Sequence, residues 1–144
     1  MGYRSKVKCA FVFTDEFVRD AFFVSSMANA ENKLRETTPG SAEHIENYVA
    51  AEVDWFQNSF TSCVINSEPV LLLEMDDVKW YDGFWFVDFV EEMKDECVNR
   101  GGGYRFIRIG EDSDDNEVSD NHHENFDCFS GYNYLDISRD IVIQ

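Results

Sequence analysis

Phe60-Thr61-Ser62-Cys63-Val64-Ile65-Asn66-Ser67-Glu68-Pro69-Val70-Leu71-Leu72-Leu73-Glu74-Met75 sets the architecture of this chain. Two short apolar runs, 60–65 and 70–75, flank Asn66-Ser67-Glu68-Pro69, which predicts a hairpin with the proline in its loop. A short hairpin requires antiparallel pairing. Upstream, Val7, Cys9, Phe11 and Phe13 alternate with other residues as in a strand entering a core. Thr14 followed by Asp15-Glu16 supplies an N-cap and an acidic first turn, and Phe17, Val18, Ala21, Phe22 and Met27 recur at helical spacing to an end near residues 33–36. Thr37-Thr38-Pro39-Gly40 breaks that pattern. Ser41 caps a second helix striped by Ile45, Tyr48, Val49, Val53 and Phe56, with Glu43, Glu46 and Asp54 on its outer face.

Downstream of the hairpin, residues 84–98 place Phe86, Val90, Met93 and Cys97 on one helical face, and Gly101-Gly102-Gly103 ends the helix. Residues 104–109 read as a strand, as do 134–143, where Leu135, Ile137, Ile141 and Ile143 share a side. The order β-α(α)-β-β-α-β-β predicts an α+β fold: a mostly antiparallel sheet with helices packed on one face, loosely ferredoxin-like. The length, 144 residues, suits a single acidic domain over 1–144.

Hydrophobic residues make up 44% and aromatics 15%, too much for a disordered tail, yet no run approaches the roughly 18 apolar residues of a membrane span. Lys and Arg number 12 against 29 Asp and Glu, a net charge of −17 that repels nucleic acid and anionic membranes. Neither direct nucleic-acid binding nor membrane binding is expected. Met1-Gly2-Tyr3-Arg4-Ser5-Lys6-Val7 lacks a secretory pattern, and Lys6 stands where a myristoylation motif wants Ser or Thr, so a cytoplasmic location is expected. Cys9, Cys63, Cys97 and Cys128 lie far apart and read as buried or half-buried thiols.

The charge is clustered. Residues 36–78 contain no Lys or Arg but carry Glu36, Glu43, Glu46, Glu52, Asp54, Glu68, Glu74, Asp76 and Asp77. Residues 109–138 repeat the pattern with Glu111, Asp112, Asp114, Asp115, Glu117, Asp120, Glu124, Asp127 and Asp136. On the helix after Gly83, Asp88, Glu91, Glu92, Asp95 and Glu96 cover the side opposite the core. The like-charge pairs Asp88/Glu92, Glu91/Asp95 and Glu92/Glu96 each cost about 0.2–0.5 kcal/mol, which Lys94 offsets only in part. Duplex DNA carries one negative charge per roughly 1.7 Å of axis, and rows of carboxylates at such density can occupy a DNA-binding groove. The plainer reading is that acidity serves solubility, or suits a high-salt cytoplasm, although salt adaptation does not call for 13 Phe residues.

Smaller signals are weaker. Asp112-Ser113-Asp114-Asp115-Asn116 begins like a calcium loop, but Glu117 replaces the required Gly and His123 the final Glu. His122, His123 and Cys128 lack the second pair of a zinc site. No nucleophile elbow, Walker loop or dinucleotide fingerprint occurs, so no catalytic residue, cofactor or metal ligand is assigned and an enzyme is not expected. Trp80, Tyr81, Phe84, Trp85 and Phe86 cluster around Gly83 as either a core hinge or an aromatic contact patch.

Four blocks resemble a family of small acidic proteins of tailed bacteriophages: residues 2–7 (GYRSKV), 77–82 (DVKWYD), 104–112 (YRFIRIGED) with Asp114-Asp115, and 137–139 (ISR). The resemblance implies an accessory product that disarms a host defence or host enzyme, and it brings no catalytic residues. The expected function is that of a phage-encoded, nucleic-acid-mimicking inhibitor in the host cytoplasm. It would occupy the basic groove of a host nucleic-acid-binding protein: a CRISPR effector, restriction enzyme or polymerase. Its contact residues would be Asp88, Glu91, Glu92, Asp95 and Glu96 with Asp112, Asp114, Asp115 and Glu117 on an acidic loop. The alternatives are an interaction module using Trp80 and Trp85, with charge serving only solubility, and a divalent-metal-binding regulator built on residues 112–117.

Overall fold

The computed structural model describes residues 4–112 and 115–121. It contains β1 (Ser5–Val12), α1 (Glu16–Thr37), α2 (Ala42–Gln57), β2 (Phe60–Ile65), β3 (Glu68–Val78), α3 (Trp85–Asn99), β4 (Gly103–Gly110) and β5 (Asn116–Asn121). The strands form one sheet in the order β2-β3-β1-β4-β5, with every neighbouring pair antiparallel. β1 and β2 therefore run parallel with β3 between them, and β3 and β4 run parallel with β1 between them. This interleaving is the split βαβ arrangement of ferredoxin-like folds, extended by α2 and β5.

Period-two alternation on β1 divides the interior. Val7, Cys9, Phe11 and Phe13 join Leu71, Leu73, Met75 and Phe106 beneath Phe22, Met27 and Ala30 of α1, Phe56 of α2, and Phe89, Val90, Met93 and Cys97 of α3. All three helices thus pack on one face, as the sequence predicts. The opposite face carries a smaller cluster, Ala10, Val12, Val70 and Ile107, with Cys63, Ile65, Leu72 and Ile109 packed against it.

Several local expectations are revised. The hairpin turn is only Asn66-Ser67, with φ of 53° and 69°, the geometry of a two-residue type I′ turn. Pro69 consequently lies inside β3, paired with Val64. The residues flanking such a turn, Ile65 and Glu68, form the hydrogen-bonded pair, so the next pair needs no N–H from Pro69. The cap of α1 is Asp15, whose carboxylate accepts from the Val18 amide at 2.8 Å, and the helix runs on to Thr37. Phe17 is 89% exposed because the buried stripe, Phe22, Ser26, Ala30 and Leu34, projects back onto Val18.

The fifth strand is the largest revision. Residues 116–121 read as part of an acidic loop, yet they pair with β4 from Ile109↔Asn116 to Tyr104↔Asn121. Cross-strand ion pairs replace hydrophobic patterning here: Arg108 meets Glu117 at 3.1 Å and Arg105 meets Asp120 at 2.6 Å. The expected strand at 134–143 lies outside the described residues. No helix among the described residues is long and apolar enough to cross a membrane.

Candidate functional site

Asp88, Glu91, Glu92 and Asp95 are exposed on α3, as the helical period requires, and Glu96 is half-buried. They point in different directions. Glu92 pairs with Lys33 of α1, and Glu96 with Arg100 at 2.8 Å, whose guanidinium also donates to Ser25 on α1. Glu91 turns the other way, accepting at 2.6 Å from Lys94, which reaches Ser119 of β5 at 3.4 Å. Asp88 and Asp95 have no ion-pair partner among the described residues. Lys94 itself is only 3% exposed and lies 4.0 Å from the Phe106 ring centroid, so it serves the core as much as the acidic face.

The expected loop residues are divided as well. Asp115 pairs with Arg108 at 2.9 Å, Glu117 sits on β5 against the same guanidinium, and the Asp112 carbonyl closes the turn by accepting from the Asp115 amide at 3.0 Å. Asp114 lies outside the described residues. α3 and β5 do converge around Tyr104, whose hydroxyl pKa is raised by burial first and then by Glu91, Asp95 and Asp120. Among the described residues, no group of three His, Cys, Asp or Glu side chains is placed to hold a metal ion. Burial pushes the Cys9 thiol well above its ordinary value and the Cys97 thiol up to about 12, which leaves both protonated and weakly nucleophilic near neutral pH.

Internal pairing consumes the basic side chains. Lys6, Lys8, Arg19, Lys33, Arg35, Lys94, Arg100, Arg105 and Arg108 each hold a carboxylate of this chain. Among the described residues only Arg4 and Lys79 do not. Carboxylates remain exposed without an ion pair at Glu43 of α2, at Asp77 and Asp82 around the β3–α3 connection, and at Asp88 and Asp95.

The aromatic cluster is partly core and partly surface. Trp80 and Trp85 are half-buried: Trp80 packs on Phe106 at 5.7 Å between centroids and Trp85 on Phe56 at 5.0 Å. Tyr81 and Phe84 are 38% and 39% exposed, close to Trp55 of α2 at 40%. A T-shaped contact of 5.0 Å joins Trp55 to Phe86 across the gap between α2 and α3. Glu52 occupies the middle of this group, accepting from Trp85 Nε1 at 2.8 Å. Burial first and the Glu52 charge second raise the pKa of the Tyr48 hydroxyl.

Two clefts open on either side of the Phe84–Phe86 ridge, of about 530 and 570 Å³, and both are lined by Glu52. Volumes of this order hold small ligands or single inserted side chains. From the sequence, Tyr48 is placed only in the stripe of the second helix and Glu52 only in the base-free acidic run, and Trp55 is not named, although the signal that groups them is present. Spacings of four and seven put them on one helix face inside a base-free run. Compared with known proteins, the chain matches no family model, no curated protein and no solved structure.

Proposed function

We propose that this chain is a non-catalytic inhibitor that uses its acidic surface to occupy the basic, nucleic-acid-binding groove of a host protein. The carrying observation is the disposition of charge: nearly every described cation is paired within the molecule, so the surplus carboxylates face solvent without counter-charge. Such a surface attracts a basic groove over a Debye length and repels nucleic acid itself. Of the residues first expected to make contact, Asp88 and Asp95 keep their full charge, whereas Glu91, Glu92, Glu96, Asp115 and Glu117 share theirs with a neighbour. The resemblance to small acidic phage proteins supports the same reading.

The test is affinity capture from bacterial lysate at ionic strengths of roughly 0.05 M and 0.5 M, followed by competition for labelled nucleic acid on each captured protein. A partner released by salt and stripped of its nucleic acid by the added chain is the expected result. Combined Asp88→Lys and Asp95→Lys should raise the concentration needed about tenfold or more. Reversing Glu92 is a poorer test, because a lysine there would confront Lys33. Capture that ignores both salt and the double reversal would refute the proposal.

A further inference from the structure

We infer that the cleft between α2 and the start of α3 receives an arginine side chain of the basic partner, an inference that rests on the acidic-surface reading. Of the two clefts, the one of about 570 Å³ carries the argument, because no Lys or Arg lines it and Glu52 is its only carboxylate. Its walls include the rings of His44, Tyr48, Phe84, Trp85 and Phe86.

Glu52 is oriented but not neutralised. Trp85 Nε1, an uncharged donor, hydrogen-bonds to it at 2.8 Å, and no Lys or Arg among the described residues pairs with it. A carboxylate has roughly four acceptor directions, so one such donor leaves capacity toward the cleft. In the other cleft, Glu74 is paired with Lys8 at 3.2 Å and Asp76 with Lys6 at 3.7 Å, and Asp77, which has no ion pair, shares the cleft lining with Arg4 and Lys79. Glu52 thus combines what Asp77 does not: no ion pair, and a cleft of ring faces without a Lys or Arg in its lining.

Ring faces carry negative quadrupole potential, and a cation placed over them beside a carboxylate gains from both. Guanidinium suits this recess better than ammonium. It is planar, stacks on aromatic rings, is weakly hydrated and can bridge both oxygens of a carboxylate. Phe84, 39% exposed at the mouth, offers a ring surface on which the guanidinium or its aliphatic stem can lie. A groove built to hold nucleic acid presents arginines for such contacts.

The test is an NMR titration of the full chain with acetyl-Gly-Arg-Gly-amide, read at the indole N–H of Trp85. The same titration is run with the isosteric but uncharged citrulline peptide and with the lysine peptide. We expect a saturable shift with the arginine peptide, about tenfold weaker binding of the citrulline peptide, and an intermediate response to the lysine peptide. Glu52→Gln keeps an acceptor for Trp85 and removes the charge, so binding should fall about tenfold. Phe84→Ala, at an exposed position, should weaken it several-fold even if Glu52→Gln perturbs folding.

An indole signal that does not respond to the arginine peptide, equal binding by the citrulline peptide, tighter binding by the lysine peptide, or full affinity in both variants would overturn the inference. If the peptide leaves Trp85 unmoved while salt-releasable capture persists, the cleft assignment fails and the acidic-surface reading stands. If the shift is present and capture ignores salt, the reverse holds.

Discussion

Gly102 shows how tightly β1 and the end of α3 approach each other. A Cβ at this position would lie 2.6 Å from the Val12 carbonyl oxygen and 2.8 Å from Cys97 Sγ, whereas one at Gly101 would meet nothing within 4 Å. Gly101 instead needs glycine for its φ of 83°. Gly102→Ala should therefore cost about 3 kcal/mol by overpacking, and Gly101→Ala about 1 kcal/mol by backbone strain. Urea midpoints of the two variants measure the difference, and equal midpoints would mean that β1 yields to the added methyl. The glycine triplet was legible as a helix terminus, but which glycine tolerates a side chain was not, because Val12 approaches from 90 residues upstream. Lys94 teaches the same lesson. From its neighbours it reads as a surface counter-charge, while Phe106 beneath it makes it a buried cation.

Ion pairs join β5 to β4, and one also links α1 to α2 above their shared core. Arg108 lies between Asp115 and Glu117, and its own pKa is raised chiefly by the hydrogen bond with Asp115. Arg108→Ala should speed amide exchange through 115–121 several-fold, at about 0.2–1 kcal/mol per lost cross-strand pair, and leave β1 and β3 protected. Uniform acceleration across the sheet would contradict this. Between the helices, Arg35 of α1 holds Glu46 of α2 at 2.7 Å, and that hydrogen bond keeps the Glu46 carboxyl below its ordinary value. A lowered folded pKa means stability that is fully present above the ordinary carboxylate range and lost as pH falls through the folded value. Glu46→Gln should accordingly be less stable than wild type near neutrality, with the gap in melting temperature closing below about pH 4. A gap that widens in acid would reverse the assignment. The helices and hairpin were readable from periodicity and turn residues, whereas β5, with Val118 its only aliphatic residue, offered no period to read.

With a net charge of −17 and its described cations largely paired, the folded chain is strained by its own repulsion. Raising ionic strength from about 0.01 M to about 1 M shortens the Debye length from roughly 30 to 3 Å. The melting temperature should rise by about 3–8 °C, provided that screened repulsion outweighs screened ion pairs. A fall on adding salt would show that the internal pairs dominate, and would weaken the case for a surface kept acidic for a partner.

Charge balance, the hairpin and the three helices follow from composition and from patterns only a few residues long. Such properties are local and survive any tertiary arrangement compatible with them. Which carboxylates remain uncompensated is a different kind of fact. Lys33 neutralises Glu92 across 59 residues, and Trp85 orients Glu52 across 33. Electrostatic pairing and cleft formation depend on distance in space, so only the folded sheet and its helices could separate the spent carboxylates from the free ones and enclose Glu52 among aromatic rings.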